Sequence, residues 1–253
     1  MEELIKKEDL MQINPAKDEM KEDSNDLFTN PMDFHGTICL DLPEPREAIH
    51  HSKHDKYMVP VFTAQCMTNF VGNGVIVGSY LITAAHVAKN KEENFPILYY
   101  KYEDEFKMVS DDDAIFDGRK VKSKNGNCND LIVYKLDGIV GGFKCNDTSV
   151  EKGTKLYASY YTYLDNGKVM FKRNVCVVDF IGTLSLDKTT YWQNCYRVYN
   201  SQGFVSGNSG CAFYCDDVLY GILLGGSELR YGVYKYTVLD ANYIRHIIEE
   251  FGE

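Results

Sequence analysis

Three side chains in this sequence lie in settings that suit acid–base and nucleophilic chemistry. His86 follows the apolar run LIT and two alanines, so its imidazole would stand at the end of a strand with little steric cover. Asp130 opens the apolar run LIVY, so its carboxylate would be largely buried and would need a hydrogen-bond partner. Ser209 lies between glycines in the turn GNSG, where bare backbone N–H groups can point at one spot.

Each of these settings also has an ordinary structural explanation. A lone His after a strand is commonly a satisfied residue, an Asp before an apolar run is commonly a turn residue, and GNSG is commonly a simple turn. The three nevertheless occur together in one chain, 44 residues separating His86 from Asp130 and 79 separating Asp130 from Ser209. That conjunction favours one shared site over three unrelated features.

The elements that must position these side chains have the pattern of β-strands. From about residue 36 onward, runs rich in Val, Ile, Tyr, Phe and Thr alternate with Gly, Asn and Asp about every 8–12 residues, which indicates an all-β sandwich or barrel. Residues 165–167 (DNG) predict a tight hairpin, because Asn and Gly tolerate positive φ. The predicted strands are 59–66, 75–83, 97–102, 131–136, 155–163, 168–180, 191–199, 211–215, 218–224 and 232–238.

One clear helix is predicted at the end of the chain. Asp240 is a good N-cap residue, and apolar side chains recur after it at helical spacing through Phe251. A composition shift over residues 137–148 separates two β modules. The predicted parts are a tail over 1–35, an N-terminal β-barrel over 36–142 carrying His86 and Asp130, and a C-terminal β-barrel over 143–253 carrying Ser209 and the helix.

The charge balance limits the classes of partner. The 253 residues include 27 basic and 37 acidic side chains, for a formal charge of −10, which predicts no nucleic-acid partner because phosphate binding needs a basic face. Residues 1–30 hold half of this charge and few large apolar side chains, which predicts a flexible acidic tail. No run is apolar enough for a signal peptide or a membrane helix, which predicts a cytoplasmic protein without a membrane partner.

The cysteines and histidines do not form a metal-site pattern. Without a signal peptide, the eight cysteines are predicted to be reduced thiols packed as small hydrophobes. No CxxC pair and no Cys/His cluster of zinc-finger spacing occurs, so we predict no metal and no cofactor. The polar surroundings of His50, His51 and His54 predict a solvated loop.

In order along the chain, the motifs TAAH, NDLIVYKL and GNSG resemble those of the trypsin/chymotrypsin-fold serine endopeptidases, and most closely the intracellular, bacterial and viral members with a GNSG turn. Residues 220–226 (YGILLGG) resemble the strand that lines the family's substrate cleft. The segment GVY at 232–234 and the helix after Asp240 resemble its closing strand and C-terminal helix. The resemblance covers roughly residues 55–251 and implies two six-stranded antiparallel β-barrels with a C-terminal α-helix.

The resemblance implies a serine endopeptidase that acts on protein or peptide substrates through an acyl-enzyme intermediate. Ser209 would attack the substrate while His86 takes its proton, and Asp130 would hold the imidazole tautomer. The backbone N–H groups of Gly207 and Ser209 would form the oxyanion hole.

Two departures from the secreted digestive members bear on activation. Those members carry a Cys directly after the catalytic His and an Asp directly before the Ser, whereas here the residues are Val87 and Asn208. That Asp normally pairs with a new N-terminus after zymogen cleavage. The resemblance therefore implies no activation of the trypsinogen type and leaves room for an activating protein partner.

The resemblance also implies a substrate pocket, with Gly203 at its base. No acid stands at that base, which argues against cleavage after Arg or Lys, and Leu223 replaces the His that Glu-specific and Gln-specific relatives often carry. We therefore predict an apolar residue before the cleaved bond (P1), a preference that Glu228 would reverse if its loop folded inward. The implied substrate-binding residues are Gly203, Phe204, Leu224, Gly225, Gly226 and Gly232.

Other interpretations of the same residues remain open. An α/β-hydrolase would need GxSxG, which Cys211 breaks, and its chain order would leave only His246 as base. A nucleophilic Cys211 or Cys215 is disfavoured because the two share one face of a strand-like run. The stronger alternative is a catalytically idle relative that uses the protease fold as a binding module.

Overall fold

The computed structural model describes most of the chain from Lys53 onward. The described residues are 53–89, 94–121, 130–164, 168–181, 184–185, 191–192, 194–200, 204, 207–228 and 234–252. The predicted acidic tail over 1–35 lies outside them. Within the described ranges, no helix has both the length and the apolar composition needed to cross a bilayer.

The first half of the fold is one curled antiparallel sheet. Its strands are β1 (Met58–Phe62), β2 (Phe70–Val77), β3 (Tyr80–Thr83), β4 (Ile97–Tyr102), β5 (Glu105–Ser110), β6 (Ala114–Asp117) and β7 (Ile132–Lys135). They lie in the order β5-β4-β1-β2-β3-β7-β6. The end strands β5 and β6 follow one another in the chain across the 3-10 turn Asp111–Asp113. The sheet therefore curls until its two ends meet.

The second half is a closed barrel. Its strands are β8 (Lys144–Cys145), β9 (Lys155–Tyr163), β10 (Val169–Ile181), β11 (Leu184–Ser185), β12 (Tyr191–Trp192), β13 (Cys195–Asn200), β14 (Ala212–Cys215), β15 (Val218–Glu228) and β16 (Tyr234–Asp240). Six of them run β14-β9-β10-β13-β16-β15, and β15 pairs back with β14 to close the ring. β8 adds to β15 in parallel, while β11 and β12 pair separately.

The predicted all-β fold with two barrel-like sheets and a C-terminal helix is confirmed, with one difference in detail. In the first sheet, the edge strands β5 and β6 are consecutive in the chain and together take the place of a sixth barrel strand. The 3-10 turn Asp111–Asp113 connects them. Among the described residues, the two edges of this sheet are therefore linked by the backbone and not by strand pairing. The predicted boundary between residues 142 and 143 stays a prediction.

Two predicted strands are wrong, and one predicted hairpin is partly described. Residues 75–83 form the end of β2 and all of β3, because Gly78 has a φ of +60° and turns the chain back. Residues 191–199 fall in β12 and β13, which belong to different sheets, and Asn194 before β13 has a φ of +58°. The predicted turn at 165–167 lies outside the described residues. The strands on either side of it pair antiparallel, and Tyr163 opposes Val169.

The helix α1 (Ala241–Phe251) begins where the sequence predicts. The Oδ1 atom of Asp240 accepts a hydrogen bond of 2.9 Å from the Asn242 N–H and so caps the helix. Burial raises the pKa of Asp240 to about 6. At the other end of α1, the Tyr80 hydroxyl donates to the Gly252 carbonyl at 2.6 Å, so the helix ties the second half of the fold to β3.

The described cysteines are free thiols that mostly pack in the interior. Burial raises the pKa of Cys145 to about 12 and holds that of Cys211 well above its usual range. Cys39 and Cys128 lie outside the described residues. The six free thiols are Cys176, Cys195 and Cys211, which are buried, Cys145 and Cys215, which are partly buried, and Cys66, which is exposed.

Candidate active site

The end of β3 and a short 3-10 turn position His86. β3 ends at Thr83, and the turn Ala85–Ala88 begins two residues later. Ala84 and Ala85 are buried against the core, so side chains this small allow the chain to turn close to the sheet. The His86 side chain in this turn keeps 46% of its surface exposed and faces solvent.

Asp130 reaches His86 because the two residues lie at the same end of the paired strands β3 and β7. Asp130 stands just before β7, which pairs with β3 through Thr83 and Ile132. Its Oδ2 lies 2.7 Å from His86 Nδ1, and its Oδ1 accepts a 2.9 Å hydrogen bond from the His86 backbone N–H. These two contacts hold the imidazole by its Nδ1 side and leave Nε2 as the nitrogen that can exchange a proton.

The same contacts set the basicity of His86. Burial disfavours the charged imidazolium, but the hydrogen bond to Asp130 and the negative charge of its carboxylate outweigh burial. The pKa of His86 is therefore raised from its ordinary value of 6.5. A general base works best when its pKa lies near the operating pH, so this shift suits proton abstraction near neutral pH.

Residues 207–210, called the nucleophile turn below after the predicted role of Ser209, depend on two glycines. Gly207 and Gly210 have φ values of +92° and +80°, in the left-handed region that side chains with a Cβ rarely adopt. At Gly210 space is also lacking, because a Cβ would lie 2.0 Å from the carbonyl oxygen of Asn73. The sharp turn and its close approach to β2 thus require glycine at residue 210.

Ser209 lies beside the His86 segment through a shared neighbour on β2. A Cβ on Gly72 would meet Val87 Cγ2 at 2.7 Å and the Ser209 carbonyl oxygen at 3.2 Å. Because Val87 follows His86 directly, the turn that carries Ser209 and the segment that carries His86 pack against the same glycine. Within the described ranges, no hydrogen bond joins the His86 and Ser209 side chains.

The predicted substrate strand, residues 224–226 of β15, lies next to the nucleophile turn. The Leu223 carbonyl accepts the Gly210 N–H at 2.8 Å, and the Leu223 N–H donates to the Cys211 carbonyl at 2.9 Å. Past this point β15 pairs with β16 along one edge, and no other described strand pairs with its second edge. An extended peptide could add to this open edge through main-chain hydrogen bonds.

Two of the predicted pocket residues face one another across a tyrosine. The Phe204 N–H donates to the Tyr236 hydroxyl at 2.6 Å, and the ring centroids of these residues lie 4.4 Å apart. Tyr236 also covers Gly226, where a Cβ would stand 2.1 Å from Tyr236 Cδ1. The predicted pocket residues Gly203 and Gly232 lie outside the described residues.

Sequence reasoning missed Asn73 in this region. Its side chain is only 2% exposed, and it touches the nucleophile turn directly. The signal was present in the run FVGNGVIV, because a polar residue inside an apolar strand must find buried hydrogen-bond partners.

The prediction of a solvated loop is wrong for His54. Its residue surface is 9% exposed, and its ring centroid lies 5.2 Å from that of Phe143, because apolar rings cover it. Burial lowers the pKa of His54. His50 and His51 lie outside the described residues. In the part of the chain that the structure describes, no group of three or more His, Cys, Asp or Glu residues is placed to hold a metal.

The rival nucleophiles and bases fit the structure poorly. The antiparallel all-β sheets are not those of an α/β-hydrolase, and His246 lies on α1 with its Nδ1 3.6 Å from Glu249 Oε2. Cys211 is 1% exposed, and burial raises the pKa of its thiol. Burial also raises the pKa of the Cys215 thiol. Both thiols are therefore kept in their weakly nucleophilic protonated form.

Comparison with known proteins agrees with this architecture. A family model described as Trypsin matches residues 46–242. No curated protein matches the chain in sequence.

Solved structures resemble the chain at low sequence identity. Mouse neuropsin, a serine protease expressed in the limbic system of mouse brain, is 17% identical with a TM-score of 0.60, over 83% of this chain and 99% of that chain. Kallikrein-related peptidase 10 in complex with Zn²⁺ is 16% identical with a TM-score of 0.54, over 79% and 97%. The MamO protease domain from Magnetospirillum magneticum is 18% identical with a TM-score of 0.52, over 76% and 96%. At these identities the likeness concerns the fold.

Proposed function

Because the chain belongs to the trypsin family, we propose that it is an active serine endopeptidase that hydrolyses peptide bonds through an acyl-enzyme intermediate. The observation that carries this proposal is the double hydrogen bond between Asp130 and His86, at 2.7 and 2.9 Å. A carboxylate that fixes the Nδ1 side of an imidazole leaves Nε2 free to act as a base. The nucleophile turn packs beside this pair through Gly72.

The proposed reaction has two stages, acylation and deacylation of Ser209, and the same groups act in both. His86 Nε2 takes the proton of Ser209 Oγ as that oxygen attacks the substrate carbonyl, and Asp130 stabilises the imidazolium. The backbone N–H groups of Gly207 and Ser209 bind the oxyanion. His86 then gives the proton to the departing amine, and a water molecule, activated by the same imidazole, hydrolyses the acyl-enzyme and frees Ser209.

We also propose that activation does not use a newly cut N-terminus. Asn208 stands where such a mechanism needs a carboxylate, and an amide carries no charge to pair with an N-terminal ammonium. Asn208 is 1% exposed, and its Nδ2 donates to the Tyr161 carbonyl at 3.1 Å, so the side chain is already engaged within the protein. An activating protein partner stays a prediction.

A fluorophosphonate probe tests the proposed activity, because it reacts with a serine whose hydroxyl is activated by a neighbouring base. We expect the wild-type protein to be labelled at one site and Ser209→Ala to lose the label entirely. Ser110→Ala, which changes a partly exposed serine that caps a 3-10 turn away from the site, should be labelled like the wild type. Labelled protein is counted by intact-mass spectrometry. A folded wild type that takes no label, or a Ser209→Ala variant that keeps it, would contradict the proposal.

The idle binding module is the second candidate, and one observation favours it. Across the described residues, His86 and Ser209 share no hydrogen bond, and an idle relative would have no need of one. Such hydrogen bonds are often long in enzymes without substrate and tighten on binding, so the missing bond is also compatible with a peptidase. The two candidates make opposite predictions for the labelling of the wild type.

For specificity we propose an apolar P1 residue. Phe204, one of the predicted pocket residues, has aromatic surroundings, since its ring lies 4.8 Å from that of Tyr160 and 4.4 Å from that of Tyr236. Burial raises the pKa of Tyr160 to about 12, so its hydroxyl stays neutral. None of these three side chains carries a charge that could pair with a charged substrate side chain.

A peptide library with varied P1 positions measures this preference. We expect apolar P1 residues to be cleaved at least about tenfold faster, as kcat/KM, than Lys, Arg, Glu or Gln. The same library treated with Ser209→Ala corrects for contaminating peptidases. Fastest cleavage after a basic or an acidic residue would overturn the proposed specificity and leave the proposed reaction intact.

A further inference from the structure

Asn73 stands at the centre of β2, where the two halves of the fold meet. Its carboxamide is 2% exposed and lies in the otherwise apolar strand Phe70–Val77. Burying a carboxamide is unfavourable unless its donor and acceptor atoms are all used, so its partners show what the residue does.

The side chain of Asn73 joins two segments of the second barrel. Its Oδ1 accepts from the Tyr161 N–H at 2.6 Å, and its Nδ2 donates to the Tyr161 carbonyl at 3.1 Å. The same Nδ2 donates to the Gly207 carbonyl at 2.9 Å. One carboxamide therefore extends β9 as a strand neighbour would and at the same time holds the first residue of the nucleophile turn.

The backbone of Asn73 holds the rest of the turn. Its N–H donates to the Ser209 carbonyl at 2.8 Å. The carbonyl of Asn73 accepts from Thr83 Oγ1 at 2.7 Å, and Thr83 is the last residue of β3, three positions before His86. A single residue thus contacts both sides of Ser209 and the strand that leads to the base.

We propose that Asn73 is a positioning residue that fixes the Ser209 turn, and with it the oxyanion N–H groups, relative to His86. The inference rests on the proposed function, because its effect is measured on the acylation of Ser209. The carbonyl groups of Gly207 and Ser209 are both held by Asn73. Each carbonyl belongs to the peptide unit directly after the one that carries a proposed oxyanion donor, so the short turn that contains both donors is anchored to β2. Such pre-organisation lowers the barrier of the chemical step and has little influence on substrate binding.

The proposed role explains why residue 73 is an amide. Two hydrogen bonds need a donor at Nδ2, and one needs an acceptor at Oδ1, all within about 3 Å. A carboxylate would turn one oxygen toward the carbonyl groups of Tyr161 and Gly207, where two acceptors repel. A hydroxyl has a single proton and could serve only one of the two carbonyls.

The variant Asn73→Ala tests the role when its kinetics are compared with its stability. We expect kcat to fall roughly 10–10²-fold with KM changed less than about threefold, because the lost contacts position the reacting atoms and do not touch the substrate. Asn146→Ala is the matched control. Asn146 is 6% exposed, and its carboxamide bonds to Thr148 outside the site. We expect a similar drop in melting temperature for both variants and an unchanged kcat for Asn146→Ala.

A second variant covers the case in which Asn73→Ala does not fold. Asn73→Asp keeps the shape and the acceptor, and on protonation its carboxyl regains one donor. The ratio of its kcat/KM to that of the wild type should therefore rise as the pH is lowered, which a merely structural defect would not produce.

The outcomes separate the two proposals. A wild type that neither cleaves peptides nor takes a fluorophosphonate overturns the proposed function. If the wild type is active, either of two results overturns the positioning role alone. One is a folded Asn73→Ala with unchanged kcat, and the other is an equal fall in kcat in Asn73→Ala and Asn146→Ala. If Asn73→Ala is unfolded, a flat pH ratio for Asn73→Asp overturns it equally.

Discussion

Replacing His86 by alanine is expected to lower kcat for peptide hydrolysis by roughly 10⁶-fold, as much as removing the Ser209 hydroxyl. A serine hydroxyl is a weak nucleophile without a base, so Ser209 and His86 act as a unit. Removing either residue therefore removes the activated nucleophile. The imidazole keeps 46% of its side chain exposed and is not one of the core residues, so its removal leaves the core packing unchanged. The melting temperature should therefore stay close to that of the wild type while turnover disappears.

A matched histidine variant makes this result specific. His246 on α1 contacts Glu249 at 3.6 Å and is the base that an α/β-hydrolase order would require. We expect His246→Ala to retain wild-type kcat on the same peptide substrate. Turnover by His86→Ala within about tenfold of the wild type would show that His86 is not the general base. Equal loss of activity in His246→Ala would show that the effect is not specific to His86.

Asp130→Asn is expected to lower kcat by about 10⁴-fold with the fold intact. The carboxylate accepts both from the His86 backbone N–H and from the Nδ1 side of the ring. An asparagine has one acceptor and one donor, so if its oxygen keeps the backbone bond its amide donates to Nδ1. The proton of the neutral ring then sits on Nε2, where it blocks abstraction from Ser209.

The pH dependence of the same variant gives an independent measurement. In the wild type the pKa of His86 is raised from 6.5, so kcat/KM should rise with pH and reach half its maximum above pH 6.5. Burial opposes protonation of the imidazole, while the hydrogen bond and charge of Asp130 favour it. With the charge removed, burial remains, and the acid limb of the profile should move to lower pH.

Asp179→Asn is the control for this second result. The Asp179 side chain is 21% exposed, close to the 19% of Asp130, and it pairs with Arg197 at 3.2 Å. We expect kcat and the pH profile of Asp179→Asn to match those of the wild type. An unchanged pH profile in Asp130→Asn would mean that the contact with His86 does not set the basicity of the imidazole.

The parts of the site that sequence reasoning anticipated are those set by short segments. His86 and Asp130 each adjoin an apolar run that forms a strand, and the two strands pair as neighbours, so their contact follows from local pattern and one ladder. The capped helix after Asp240 is of the same kind, because a cap and a helical period are read within a few residues.

The features that sequence reasoning missed depend on unusual turns or on distant neighbours. β5 was not predicted, because the turn before it uses Glu103 and Asp104 at φ values of +48° and +67°, where Gly or Asn is the usual signal. His54 lies in a polar segment but is covered by the ring of Phe143, which comes from a distant part of the chain. Asn73 has partners that only the tertiary structure brings near.

The hydrogen bonds of Asn73 also bear on the stage of synthesis at which the candidate site can be assembled. The contact between His86 and Asp130 spans 44 residues, whereas those from Asn73 span 88 to Tyr161 and 134 to Gly207. During synthesis the N-terminal half can pair its base and its acid long before the later partners leave the ribosome. Under the proposed function, a nascent chain therefore lacks an anchored nucleophile until both halves have docked.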